Sequence, residues 1–189
     1  MERPLAVALT GGIAAGKSEA LRAFARGGAA VISSDDVVHR LYRDDEGLQA
    51  ALRGRWGERV FRDGEVDRTE IGRIVFADRA ELAWLEAELH PRVRAATEAW
   101  LAEQTAGIAV AEIPLLYETG GETRFDRVVV VTAPLKVREA RRDAVAARED
   151  RLVPDEEKVR RADFSYVNDG TLEELDDFVA AVLEELTRS

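Results

Sequence analysis

The sequence predicts an α/β fold in which a five-stranded parallel sheet is flanked by helices on both faces. Three observations carry this. Short apolar runs alternate with helical patterns along the 189 residues, the arrangement of parallel strands joined by helical crossovers. Most runs are continuously apolar or rich in β-branched residues, as strands buried on both faces are. The first run also leads directly into a glycine-rich turn and a helix, the setting of a phosphate loop.

The expected strands are Leu5–Thr10, Ala29–Ser33, Ile108–Ile113, Arg127–Thr132 and Phe164–Val167. Lys17–Arg26 continues the first strand as a helix. Asp36–Arg43 follows the second, with Ser33 and Asp36 spaced as a capping box. The helical stretch Glu46–Gln104 is too long for a simple crossover, so it reads as an inserted helical segment. The last helix opens on a capping box, Thr171 and Glu174, after Gly170. Its residues Leu172, Leu175, Phe178, Val179, Val182, Leu183 and Leu186 keep one apolar face. The expected division is a core of 1–44 and 106–189 and a helical insertion of 45–105.

Composition excludes several functions. Without cysteine there is no disulfide, thiolate metal site or cysteine nucleophile. Two histidines, His39 and His90, cannot build a histidine-rich metal site. A net charge of −10 disfavours nucleic acid and anionic membranes, which both need positive field. No run approaches the roughly 18 apolar residues of a membrane span, and the start lacks a signal-peptide pattern. A cytoplasmic monomer is expected. Between Lys136 and Arg161 the balance reverses, with nine basic and seven acidic side chains. That segment either serves an anionic small molecule or is a solvated, salt-bridged helix.

Gly11-Gly12-Ile13-Ala14-Ala15-Gly16-Lys17-Ser18 fits the phosphate-loop pattern G-x-x-x-x-G-K-[S/T]. Glycines let the backbone curl so that successive N–H groups face phosphate. Lys17 then reaches the β- and γ-phosphates, the Ser18 hydroxyl ligates Mg²⁺, and the helix adds its positive end. No lysine sits in the Asn-Lys-x-Asp setting that reads guanine. The third strand ends Ala111-Glu112-Ile113-Pro114 with one acid only, unlike a motor ATPase. A small-molecule kinase fits the length. Such an enzyme needs an acid on the acceptor side and a basic lid, because phosphoryl transfer is mostly positioning and charge neutralisation. Ser34-Asp35-Asp36 supplies acids at a strand's carboxyl end, where ligands bind in such sheets. Asp35 is the candidate for chemistry and Asp36 for the helix start.

Taken together, these blocks resemble a known family. The sequence has Leu9-Thr10-Gly11-Gly12-Ile13 with Gly16-Lys17-Ser18, then Val31-Ile32-x-x-Asp35, then Asp63-Gly64-x-x-Asp67-Arg68. Leu89-His90-Pro91, Pro114-Leu115-Leu116-Tyr117-Glu118, Ala162-Asp163 and Asn168-x-Gly170 follow in family order. The pattern is similar to that of the dephospho-coenzyme A kinases. The resemblance implies a P-loop, nucleoside-kinase-like fold with a helical insertion and a short lid at about 136–154. It implies phosphorylation of the ribose 3′-hydroxyl of dephospho-CoA by ATP with Mg²⁺. Residues Gly11, Gly12, Ile13, Ala14, Ala15, Gly16, Lys17, Ser18 and Glu19 would hold the nucleotide, with Asn168 near the adenine. Asp35 would be the general base, and Asp67, Arg68, His90, Pro91 and Leu115 would line or shape the acceptor site. Pro114–Glu118 would form the wall between acceptor and sheet. His90 before Pro91 has a second reading, as a buried residue fixing a helix start. Arg141 and Arg148 are the lid's candidates to meet the transferring phosphoryl group.

Four departures qualify the match. Glu19 stands where threonine is usual, and Ser33 where aspartate is common. Ala14-Ala15 replaces Gly-Ser, which suits residues that need only negative φ. Leu152 stands where the lid's glutamine is expected. Another P-loop nucleoside or small-metabolite kinase, and a non-catalytic ATP-binding regulator with a decayed lid, remain alternatives.

Overall fold

A computed structural model describes residues 3–105, 107–141 and 152–188. The chain divides into two compact units, one of residues 1–33 and 101–189, the other of 34–100.

The first unit is built on a five-stranded parallel sheet. Its strands are β1 (Leu5–Gly11), β2 (Ala30–Ser33), β5 (Ile108–Glu112), β6 (Arg127–Thr132) and β7 (Phe164–Val167). They stand in the order β2-β5-β1-β6-β7, and every neighbouring pair is parallel. All five expected strands are present, within a residue at each end. β1 is central and its Val7, Ala8 and Leu9 are fully buried, which explains the apolar run at its start. On one face, α1 (Lys17–Arg26) and the last helix, α8 (Leu172–Arg188), enclose Phe24, Leu175, Val179 and Val182 against Val7, Leu9, Val129 and Val131. On the other, Ala8, Val128 and Val130 meet Leu116 and Tyr117. The expected capping box of α8 is formed. The Thr171 N–H donates to Glu174 Oε2 at 2.7 Å, and the Glu174 N–H donates to Thr171 Oγ1 at 3.2 Å. Two short helices, α6 (Leu135–Arg141) and α7 (Asp155–Arg161), follow β6 and precede β7. Parallel strands put the ends of β1, β2, β5, β6 and β7 on one edge, where a doubly wound sheet binds its ligands.

The second unit holds α2 (Ser34–Asp44), α3 (Glu46–Trp56), α4 (Arg68–Ala77) and α5 (Arg79–Glu103, whose last residues pass into the first unit). The division therefore falls at 34, not 45, because Val38, Leu41 and Tyr42 of α2 pack into this unit's core with Leu48, Leu52, Trp56, Ile71 and Leu85. The stretch expected to be helical throughout contains a hairpin, β3 (Phe61–Arg62) with β4 (Glu65–Val66). Its turn is Asp63-Gly64, with φ 53° and 85°, the left-handed pair that a two-residue hairpin requires. Trp56 and Trp84 meet edge to face at 4.9 Å, and the Trp56 indole N–H donates to Glu81 at 2.7 Å.

Candidate active site

The loop between β1 and α1 takes its shape from glycine. Gly11 has φ 144° and Gly16 φ 103°, conformations that side chains rarely adopt. A Cβ on Gly11 would lie 1.8 Å from the Val131 carbonyl oxygen, and one on Gly16 would lie 2.1 Å from Asn168 Nδ2. Torsion and space both demand glycine at these two positions. Ala14 corrects an expectation: its φ is +57°, not negative. A left-handed conformation disfavours an L-residue by about 1–2 kcal/mol, so the loop is strained at the alanine.

Lys17 folds back along this loop. Its ammonium donates to the Gly12 carbonyl at 2.8 Å and to the Gly11 carbonyl at 3.3 Å. The first turn of α1 leaves N–H groups without intrahelical acceptors, and together with the helix dipole these suit an anion. Ser18 is exposed in that turn. Glu19 is turned along the helix, its carboxylate accepting from Arg22 at 2.6 Å and Arg26 at 3.3 Å. The Arg22 hydrogen bond is the main reason that this carboxyl is held below its usual range. Those pairs neutralise a carboxylate that stands in the first turn of α1.

Four side chains from later in the sequence stand against the loop. Asn168 is buried and donates through Nδ2 to the Ala15 carbonyl at 2.8 Å, while its own N–H donates to Thr132 at 2.7 Å. Arg141, in α6, donates to the Ala14 carbonyl at 3.3 Å. Arg138 and Asp155 stand against Gly12, where an added Cβ would be 2.9 Å from each. Arg138 is itself buried, donating to the Ala133 carbonyl at 2.8 Å and lying 3.6 Å from Asp155. Beside them a cavity of about 900 Å³ is lined by Thr132, Pro134, Arg138, Val153, Lys158 and Val167. That volume is in the range of small-molecule sites. Arg148 lies outside the described residues.

The wall expected after β5 is a tight turn. Ile113 donates to Leu9 at 2.9 Å, and the Thr10 hydroxyl meets the Pro114 carbonyl at 3.5 Å. Leu116 is fully buried and Leu115 half-buried. Glu118 accepts from the Val153 N–H at 3.1 Å and lies 3.1 Å from Lys158 Nζ.

In the helical unit, α2 begins at Ser34, so Asp35 and Asp36 both lie exposed in its first turn. Carboxylates there complement the helix dipole; Asp36, expected at the helix start, lies in the first turn together with Asp35, the candidate for chemistry. Asp67 caps α4, accepting from the N–H groups of Thr69 at 3.0 Å and Glu70 at 3.1 Å; Arg68 beside it is exposed. His90 and Pro91 are exposed in the middle of α5. The alternative of a buried histidine fixing a helix start is therefore overturned, because no helix starts there.

Sequence reasoning passed over Arg138, Asp155 and Lys158 as contacts. They belong to runs of mixed charge that read equally well as solvated faces. Burial of Arg138 and Lys158 comes from tertiary packing, and no local pattern encodes it.

Comparison with known proteins agrees with this geometry. The sequence model of the dephospho-CoA kinase family matches residues 5–174. A dephospho-CoA kinase of Mesorhizobium japonicum is 44% identical over 193 residues, covering 96% of each chain. The crystal structure of TT1252 from Thermus thermophilus superposes with a TM-score of 0.78 at 34% identity, over 98% of this chain and 99% of that one. A dephospho-CoA kinase from Campylobacter jejuni gives 0.71 at 26% identity over the same shares. A strained loop closed by glycines, a lysine laid along it and a match across nearly the whole chain lead to one conclusion: the chain belongs to the dephospho-CoA kinase family.

Proposed function

We propose that the protein transfers the γ-phosphoryl group of ATP to the ribose 3′-hydroxyl of dephospho-CoA, giving CoA, ADP and a proton. The phosphate loop carries this reading. Its backbone is already curled by Gly11 and Gly16, so nucleotide binding needs little rearrangement. Lys17 would exchange its carbonyl partners for the β- and γ-phosphates and offset the charge that spreads during transfer. Arg141, already at the loop, adds a second positive charge on its rim. Asn168 fixes the loop's far side and sits on the nucleotide's base side. Asp35 orients the acceptor hydroxyl and accepts its proton, and Pro114–Leu115 walls the acceptor. Asp67, Arg68, His90 and Pro91 shape the acceptor's remaining surface.

The donor set also fits Mg²⁺ of a particular kind. Among the described residues, no group of three or more histidine, aspartate or glutamate side chains converges to hold a metal. Mg²⁺ is a hard cation that keeps several waters and binds largely through substrate phosphates, and the Ser18 hydroxyl, exposed in the first turn of α1, is an oxygen donor of the kind it takes. Ser18 would add one hydroxyl, and the ion would neutralise phosphate charge.

No described helix is long and apolar enough to cross a membrane, and the proposed partners are small molecules alone. ADP release measured with and without dephospho-CoA tests the reading. Release that depends on dephospho-CoA, with phosphorylated product in equal amount, is expected. Release that is indifferent to dephospho-CoA, or that follows another acceptor in a panel, would reject it. Lys17→Ala should lower turnover by about 10²–10³-fold in this assay; turnover within a few-fold of wild type would remove Lys17 from the chemistry.

A further inference from the structure

Lys158 is 1% exposed. A charged side chain so enclosed needs a paired counter-charge. Its ammonium lies 3.1 Å from Glu118 Oε1, which also accepts from the Val153 N–H just ahead of α7. Glu118 Oε2 and Lys158 Nζ are both buried with no hydrogen-bond partner among the described residues, so the two charges meet as an ion pair and the carboxylate's hydrogen bond comes from the Val153 N–H. Apolar contact surrounds the pair, with Leu116 and Tyr117 packed against Val153, Val159 and Ala162. Arg161 adds an ion pair to Glu122 and lies over the Tyr117 ring at 4.3 Å. One side of α7 therefore grips the segment that begins at Pro114.

The start of α7 faces the phosphate loop. Asp155 is its first residue, and with Arg138 it stands against Gly12. Thr10, one residue before the loop, reaches the Pro114 carbonyl. Gly12, Asp155, Lys158, Glu118, Pro114 and Thr10 thus form a closed circuit around the end of β1. Within that circuit the Lys158–Glu118 contact is an ion pair where an apolar pair would fit. Buried ion pairs of this kind add little stability over apolar residues of the same shape. In some proteins such a pair serves instead to fix a distance and register.

We propose that Lys158 is a positioning residue for phosphoryl transfer. Acting through Glu118, it holds the acceptor wall Pro114–Leu115 at a set distance from the phosphate loop. This rests on the reading of the protein as a kinase of dephospho-CoA.

Four variants test it, Lys158→Met, Lys158→Arg, Glu118→Gln and the double variant Lys158→Met/Glu118→Gln, each assayed for thermal stability and for KM of both substrates. Either Lys158→Met or Glu118→Gln alone leaves a buried charge unpaired and should lose stability and activity together. The double variant removes both charges, so its stability should return towards wild type. Its KM for dephospho-CoA should stay raised by about tenfold while KM for ATP moves less than about twofold. Lys158→Arg, which keeps the charge, should recover most of the wild-type KM. A double variant with wild-type KM at restored stability would make the pair packing alone. An equal rise in both KM values would mean general loosening, and would also overturn the proposal. A wild-type protein that transfers nothing to dephospho-CoA would instead remove the functional reading, and the inference with it.

Discussion

Single residues of the phosphate loop carry opposite strains and uses. Gly16 is held left-handed against Asn168, while Ala14 adopts a left-handed φ without glycine's freedom. Ala14→Gly should therefore stabilise the fold by about 0.5–1 kcal/mol, the relief of the left-handed alanine less the extra entropy of an unfolded glycine. A thermal melt would show this as a rise of a few degrees, since about 1 kcal/mol moves a chain of this size by roughly 2–4 °C. A fall would mean that the loop needs alanine's methyl group. Asp35→Asn keeps shape and removes the proton acceptor, so turnover should drop by about 10²–10⁴-fold with little change in either KM. A larger effect of Asp36→Asn would transfer the role to its neighbour. These positions were legible in the sequence because glycine, lysine and serine at fixed spacing have few other uses. The strain at Ala14 was not, since φ is set by how the loop closes on Arg141 and Asn168.

Elements were legible where burial writes a period into the chain. All five sheet strands follow their apolar patterns, and so does α8 from Leu175 on, whereas Leu172, expected on the same face, is exposed; the box at Thr171 and Glu174 marks where α8 starts. The hairpin at 61–66 was absorbed into a helical reading because each of its strands is two residues long, too short to alternate. Asp63-Gly64 was its signal, a dipeptide suited to a turn with two left-handed residues. Helix α5 runs unbroken through Pro91, although proline removes one backbone donor and crowds the preceding turn. Pro91→Ala should therefore stabilise α5, by up to about 3 kcal/mol. Urea unfolding measures it, and a destabilised variant would show that the proline ring is required by packing around Leu85 and Leu89.

The whole sheet unit is tied at its base by Asp126. The Arg3 guanidinium donates to this carboxylate at 2.7 Å and the Ala6 N–H at 2.8 Å, while the Asp126 N–H donates to the Ala6 carbonyl. The Arg3 hydrogen bond chiefly, opposed by burial and aided by Ala6, holds the Asp126 carboxyl below its ordinary range. A carboxyl depressed in the folded state stabilises the fold above its unfolded value, near pH 4, and loses that contribution as pH falls through its folded value. Stability should therefore decline below about pH 4, and Asp126→Asn should flatten that part of the profile. An unchanged acid limb in Asp126→Asn would place the titration elsewhere.

Strand order has a consequence for how the molecule is made. β1 is synthesised before both its partners, β5 and β6, which lie about 100 residues downstream. At ordinary rates of synthesis, about 5–20 residues per second, the apolar segment Ala6–Leu9 waits roughly 5–20 s for a neighbour. The carbonyl of Val131 that closes on Gly11, and Asn168, which closes on Gly16, emerge later still. A nascent chain thus carries its phosphate-loop sequence long before it owns a phosphate loop. Affinity for nucleotide is acquired only once β7 and Asn168 have emerged, and a ribosome stalled before β7 would display the motif without the cradle.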